Sequence, residues 1–336
     1  MATLADIAKE AAVSSGTASR VLNNKMTMPI SQSTIDRIRQ AARQMNYQPN
    51  AVARALATGK TRTIGLHYRG TTETMFLRIL EAVEAKARER GYHLIVSSDL
   101  QSFSTWSAID GLIYIASLDY LPEQTALCGK PTVFVSPSRA GEPQSNLITW
   151  SEFDAAQMAV RYLVSLGHRY IGAIWGDYAD SEPALPRVAG FRSAVAESGV
   201  FGVEQFGERG KPGKDHGNHI PCGYSQMCEM LEQHPEVTAI FARNDYLAMG
   251  ALKALQKAKV EVPEQISLIH YGDSILSQAV YPELTSVSHP NAEASVLALE
   301  RLIEMSENGG EGFPAISLPI TLCERASCAP PPQNQG

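Results

Sequence analysis

From Thr63 onward, short apolar runs alternate with longer amphipathic ones, and this alternation limits the possible folds more than any other feature of the chain. Strand-like runs fall at residues 63–68, 93–98, 111–116 and 132–136, with an amphipathic helical run at 75–90 closed by Gly91. A second series follows, with helices at about 154–166, 186–198, 223–234 and 246–257 and strands at 170–175, 203–206, 239–242 and 267–271. Parallel strands need long, right-handed crossovers, so each series predicts one open parallel sheet with helices on both faces. Two such series predict two sheets flanking a cleft, with ligands held near the carboxyl ends of the strands. One joint breaks the rule. Residues 99–109 are too few for a helical crossover, which leaves either a missing helix or a different local topology.

The first sixty-two residues are of another kind. They carry nine Lys and Arg against three Asp and Glu, a net of +6, while the whole chain carries −6. A basic block on an acidic body is the asymmetry of a chain whose one end meets a polyanion. Thr3 and Asp6 form a capping pair for a helix over 4–11, with Leu4, Ile7, Ala8 and Ala11 on one face. After a tight break at Ala12 and Val13, Ser14 caps a second helix running to about Asn23, and Ser31 caps a third that carries Ile35, Ile38, Ala41, Ala42 and Met45. Three short helices, the first two joined by a very short turn, predict a helix-turn-helix head. The second helix opens Ser14-Ser15-Gly16-Thr17, with Arg20 a turn later. Hydroxyls and amides at a helix start suit phosphate oxygens, and an arginine can read guanine in the major groove.

Other classes are set aside by what the sequence lacks. With 44% apolar residues there is ample core, but no apolar run of about eighteen residues suited to a membrane span. No secretory leader is visible, and the five cysteines form no C-x-x-C, so neither a disulfide framework nor a zinc site is expected. Gly-rich phosphate loops, G-x-S-x-G elbows and metal-spaced His/Cys/carboxylate clusters are missing, so no enzyme activity and no cofactor are expected. The expectation is a cytoplasmic globular protein.

The run Leu4-Ala5-Asp6-Ile7-Ala8, then Val13-Ser14, then Thr17-Ala18-Ser19-Arg20-Val21-Leu22-Asn23, resembles the headpiece of LacI/GalR-family transcriptional regulators. Asn46-Tyr47-Gln48-Pro49-Asn50-Ala51-Val52-Ala53-Arg54-Ala55-Leu56-Ala57 is similar to that family's hinge. In the body, Asp110-Gly111-Leu112-Ile113, Arg187-Val188-Ala189-Gly190-Phe191, Asn244-Asp245 and Pro282-Glu283-Leu284-Thr285 resemble its effector domain, and the likeness spans about residues 2–330. It implies an all-α helix-turn-helix headpiece (1–48), a hinge helix and linker (49–60), and an α/β effector domain (61–330) of two doubly wound subdomains, like a periplasmic sugar-binding protein. The first lobe would take about 61–165 and 289–318, the second 166–288 and 319–330, leaving a tail at 331–336.

The same resemblance implies roles. Ser15, Gly16 and Arg20 would face bases, with Ser14, Thr17, Ser19 and Asn23 positioning the helix on the backbone. Asn50, Ala53, Arg54 and Leu56 would act from the hinge, Leu56 as a minor-groove wedge; residues 50–57 span only two turns, too few to hold a helix without a partner copy or DNA. Met75, Phe76, Arg187, Asn244 and Asp273 would meet a small polar effector. The family's usual Asp-Asp after Gly-Tyr reads Gly272-Asp273 here, Trp150 stands near the cleft edge either as a stacking platform or as a buried structural residue, and Arg69 could reach an anionic group. Asp245 is open between ligand and helix cap. The function so implied is a dimeric repressor of a pseudo-palindromic double-stranded DNA operator, governed by a sugar or related effector. A nucleoside, purine or sugar-phosphate effector, or a transport-type solute-binding protein, is the alternative. The tail has no leucine heptad for a tetramer.

Overall fold

The computed structural model describes residues 2–22, 29–47, 59–69, 73–100, 109–116, 129–138, 145–176, 186–206, 219–309 and 312–333. The chain divides into two compact units, Met1–Arg62 and Thr63–Gly336.

In the first unit, α1 (Leu4–Glu10) opens on a complete capping box: Thr3 Oγ1 accepts from the Asp6 amide, and the Asp6 carboxylate accepts from the Thr3 amide at 2.8 Å. Ala12 turns the chain through a left-handed conformation (φ 51°), closed by the Val13 amide on the Ala8 carbonyl. In α2 (Ser15–Leu22) the Ser14 hydroxyl accepts from the Thr17 amide at 3.1 Å, and in α3 (Gln32–Gln44) Ser31 caps Thr34. The three helices close on Ile7, Ala8, Ala11, Ala18, Val21, Ile35, Ile38, Ala41 and Ala42. Five of the nine are alanines, which lets three short helices approach closely around two or three large side chains.

The second unit holds two six-stranded sheets. The first contains β1 (Thr63–Arg69), β2 (His93–Ser97), β3 (Gly111–Ala116), β4 (Thr132–Val135), β5 (Leu147–Thr149) and β11 (Ile316–Ser317), in the order β11-β5-β4-β3-β1-β2. The second contains β6 (Tyr170–Ile174), β7 (Phe201–Gln205), β8 (Ala239–Ala242), β9 (Ser267–Tyr271), β10 (Thr285–Ser288) and β12 (Thr321–Cys323), in the order β12-β10-β9-β8-β6-β7. Among the described strands, only the β10–β12 pairing is antiparallel. Because β2 and β3 both pair in parallel with β1, the sheet keeps its order across the short joint, and a different local topology is ruled out. Residues 101–108 of that joint lie outside the described residues.

Parallel strands are buried on both faces and need helices on each. In the first lobe α4 (Glu73–Glu89) supplies Ile79, Val83 and Ala87, and α9 (Asn291–Asn308) supplies Ala294, Ala298, Leu299, Leu302 and Ile303, against Ile64, Leu66, Ile113, Val133 and Ile148. In the second lobe α5 (Glu152–Ser165) and α6 (Pro186–Ser198) cover Ile171, Ala173, Phe241 and Ile269, while α7 (His219–Gln233) and α8 (Asp245–Ala258) cover Ile174, Ile240 and Leu268. This corrects the first-lobe boundary near residue 165. Ala155, Ala156, Ala159, Val160 and Leu163 of α5 pack on the second sheet, so the chain changes lobes at Trp150 and Ser151. It crosses back between β10 and α9, at His289 and Pro290, and again between β11 and β12. No helix among the described residues is long and apolar enough to cross a membrane.

Candidate nucleic-acid interface and effector cleft

In the basic unit, α2 presents the sequence-predicted residues at its open end. Ser14, Ser15 and Gly16 are exposed, Thr17, Ser19 and Arg20 are half-buried, and Ala18 and Val21 turn into the core. The Ser14 and Thr17 hydroxyls lie 2.9 Å apart. Arg20 Nε donates to the Gly16 carbonyl at 3.2 Å, and its Nη2 lies 3.7 Å from where a Gly16 Cβ would stand. A Cβ at residue 16 would therefore make only ordinary contact with the guanidinium, which the Gly16 carbonyl holds beside the helix start. Exposed Arg37, Arg39 and Arg43 line α3. The arrangement can offer a phosphate the hydroxyls and amides of a helix start, and a base edge one guanidinium. Asn23, Asn50, Ala53, Arg54 and Leu56 lie outside the described residues.

Between the lobes of the second unit is a small cavity. Its wall draws Met75, Arg78 and Ile79 from α4, Asp245 from the first turn of α8, Asp273 and Ser274 from the end of β9, and Ser288, His289, Asn291 and Glu293 from the β10–α9 crossover. Of the predicted effector residues, Met75 and Asp273 line it. Asp273 is already engaged: its Oδ1 accepts from Arg325 Nη2 at 2.7 Å and from Ser286 Oγ at 3.0 Å. The Arg78 guanidinium reaches across from the first lobe to the Asp273 carbonyl.

The remaining predicted residues stand around this cavity rather than on its wall. Arg187 pairs with the Glu152 carboxylate at 3.2 Å, donates to the Arg243 carbonyl at 2.9 Å, and lies 4.6 Å over the Tyr271 ring. Asn244 is the N-cap of α8, its Oδ1 accepting from the Leu247 amide at 2.9 Å; the cap role therefore falls to Asn244 and not to Asp245. Phe76 stacks on Tyr68 at 3.8 Å against the first-lobe core. Trp150 is 4% exposed, in that same core, and its indole donates to the Tyr271 hydroxyl at 2.8 Å, joining the two lobes. This is the buried, structural alternative for Trp150. The side chain of Arg69 lies outside the described residues.

Arg78, Ser274 and His289 are among the wall residues that the resemblance did not single out as effector ligands, and Asp245, which it left open between ligand and cap, also lines the wall. Asp245 is 3% exposed. Its Oδ1 accepts from the Ser274 amide (3.0 Å) and hydroxyl (2.7 Å) and, more distantly, from Ser277. Burial alone would raise its carboxyl, but His270 and the Ser274 donors outweigh it and hold the group below the ordinary carboxylate range. A side chain at Gly272 (φ 113°) would fall on Asp245 Oδ2, so both backbone and space require glycine there. The acid missing from position 272 is thus matched by one arriving from α8.

His289 lies against Tyr271 and Trp150, with ring centroids 4.8 and 5.7 Å away. Its Nδ1 is buried without a hydrogen-bond partner among the described residues, and burial pushes its pKa down to about 4. Burial also lowers His168 and His270. The unfolded chain takes up these protons near pH 6.5, before the folded one, so stability is full above that pH and is lost as pH falls toward 4. For His289 the loss is at most roughly 3 kcal/mol, less where solvent reaches the ring. The urea midpoint of the second unit should accordingly be lower at pH 5 than at pH 7, and lowered less in His289→Gln. An unchanged or higher midpoint at pH 5 contradicts the neutral, buried rings.

A head of three helices and a two-lobed receptor in one chain define a ligand-governed DNA-binding regulator. Residues 3–50 match the model of the bacterial regulatory proteins of the lacI family, and residues 160–328 that of the periplasmic binding protein-like domain. The chain is 30% identical over 345 residues to the HTH-type transcriptional repressor PurR of Pectobacterium carotovorum, covering 99% of this chain and 98% of that one. It is 31% identical, with the same coverage, to PurR of Escherichia coli O139:H28. Among solved structures, the lac repressor dimer bound to operator and the anti-inducer ONPF superposes with a TM-score of 0.76 at 25% identity over 98% of this chain and 99% of that one. A CelR–cellobiose complex shares the fold, with a TM-score of 0.65 at 23% identity over 97% of this chain and all of that one. The chain belongs to the LacI family of DNA-binding transcriptional repressors, with a small-molecule effector domain. Its curated relatives are repressors, not enzymes.

Proposed function

We propose that the protein works in the cytoplasm as a homodimer whose two heads read inverted half-sites of a pseudo-palindromic operator, and that a small effector in the inter-lobe cavity sets the affinity of that grip. Arg20 reads a base in each half-site; Ser15 and Gly16 face bases without a long side chain, and Ser14, Thr17, Ser19 and Asn23 set the helix on the backbone. Asn50, Ala53, Arg54 and Leu56 act at the centre of the site. The observation that carries this reading is the open end of α2, hydroxyl-lined and beside Arg20, on a unit of net charge +6. A headpiece also sets the chain apart from a pure transport-type binding protein. Arg187, held by Glu152 and the Arg243 carbonyl, is poorly placed to meet a phosphate, which favours an uncharged effector over a sugar phosphate.

Selection of duplexes from a random pool by the full chain tests this. Two inverted half-sites should be enriched, and retention should fall steeply between about 50 and 200 mM salt as counterions compete. Enrichment of a lone half-site, or retention indifferent to salt, contradicts it.

A further inference from the structure

We propose that the buried bond between Trp150 and Tyr271, backed by the His289 ring, is a hinge clasp through which the chain's own side chains hold the two lobes of the second unit together. The consequence of this clasp for the switch rests on the effector-sensing reading above; the clasp itself does not.

The lobes are joined where the chain passes between them, and these passages lie side by side. Trp150 stands at the first, beside the Ser151 cap of α5, and His289 at the second. At the third, the Leu318 amide donates to the Thr149 carbonyl at 2.8 Å, next to Trp150, and Ile320 packs against the cores of both lobes. Trp150 belongs to the first-lobe core and Tyr271 to the second. The 2.8 Å bond from the indole to the Tyr271 hydroxyl therefore ties one core directly to the other. His289 lies against both rings, and Arg187, itself paired with Glu152, holds the Tyr271 ring to its own lobe. A rigid swing of either lobe has to break the Trp150–Tyr271 bond or pull a ring out of its core.

The cross-lobe contacts differ in weight. Arg78 also bridges the lobes, donating to the Asp273 carbonyl, but Arg78 is exposed and water can replace that bond. Trp150 and Tyr271 are 4% and 5% exposed. An indole N–H buried there has no water to turn to, so losing its acceptor costs more than losing an exposed bond. The buried bond is the one that favours the joined arrangement most. A ligand shifts such an equilibrium only by its differential affinity, so the clasp sets how large that difference must be.

Fluorine NMR on the full chain, labelled with fluorotryptophan at its three tryptophans, provides the test. Trp150→Phe assigns the clasp resonance by its loss. In wild type that resonance should be shielded, with almost no shift between light and heavy water. Tyr271→Phe keeps the ring and removes the acceptor. The population of a second, solvent-exposed Trp150 environment, read by saturation transfer, should then rise about tenfold. Adding Arg78→Ala should raise the same population a further twofold or so, because parted lobes lose that bond as well. The Trp175 resonance, from an indole buried in the second-lobe core, shows that each variant is folded. A solvent-exposed Trp150 in wild type, or a population unchanged in Tyr271→Phe, overturns the clasp. So does a rise that is indifferent to Arg78→Ala, which marks local fraying rather than parting of the lobes. The operator Kd of Tyr271→Phe, measured without ligand, reports separately on whether the lobes govern the head, so the two readings can fail independently.

Discussion

Gly250→Val should cost the second lobe about 3 kcal/mol or more. A Cβ at Gly250 would fall on the Ile220 carbonyl and lie 2.6 Å from the Tyr224 amide, and one at Gly223 would fall on the Leu247 carbonyl. Helices α7 and α8 thus meet backbone to backbone through two glycines, and neither side can yield by rotating a side chain. Any substituent must push the helices apart and open the cluster of Met227, Met230, Leu247, Ala248, Ala251 and Leu255 between them. For a unit of this size the loss corresponds to a melting point lower by roughly 6–12 °C. Gly199 (φ 62°), with nothing within 4 Å of its Cβ position, is the matched control, and Gly199→Asn should shift melting far less. A Gly250→Val chain melting within a degree or two of wild type contradicts this packing.

Arg20→Ala should weaken operator binding more than any other single change to the head. A bidentate arginine–guanine pair discriminates by about 1–3 kcal/mol, and a dimer loses it in both half-sites, so the combined loss is about 2–6 kcal/mol, roughly 30-fold or more. In the structure Arg20 gives one hydrogen bond to its own helix and none of its side chain is needed for the core of Ile7, Ile35 and Ile38, so melting of the head should hardly change. The effect should also depend on sequence: operators altered at the contacted base pair should bind wild type and variant alike. Exposed Arg39→Ala should instead weaken all duplexes evenly and reduce the salt slope by about one per head. An even loss for Arg20→Ala across operator variants reassigns it to phosphate.

The head was nearly all legible, because its signals are local. Thr3 with Asp6, Ser14 with Thr17 and Ser31 with Thr34 are caps spaced three apart, and the core residues recur at helical spacing within single helices. The two sheets were legible from alternation alone. The side of the cleft to which α5 belongs was not, because an amphipathic stripe of Ala155, Ala159 and Leu163 marks a buried face without saying which sheet covers it. Beyond Tyr271 the alternation alone marks no element, although Ala294, Ala298, Leu299, Leu302 and Ile303 carry a plain helical period; the family resemblance puts the lobe change at 288–289, but no local pattern shows that it brings His289 to the cavity.

At the effector site, strand ends pointed to Arg187, Asn244 and Asp273, and two of the three are bound to residues far along the chain, Glu152 and Arg325. Such commitments depend on which strands become neighbours, which no local pattern records. Gly272 was visible as a departure, but its meaning needed the tertiary position of Asp245.

The central claim is that occupancy of the cavity governs the grip of the head on DNA. Fluorescence anisotropy of a selected operator duplex, titrated with the full chain with and without a saturating neutral sugar that raises its melting point, tests this most directly. The operator Kd should change by at least about fivefold, the lower end of ordinary allosteric coupling. The same Kd with and without the bound sugar would show that cleft and head are not coupled.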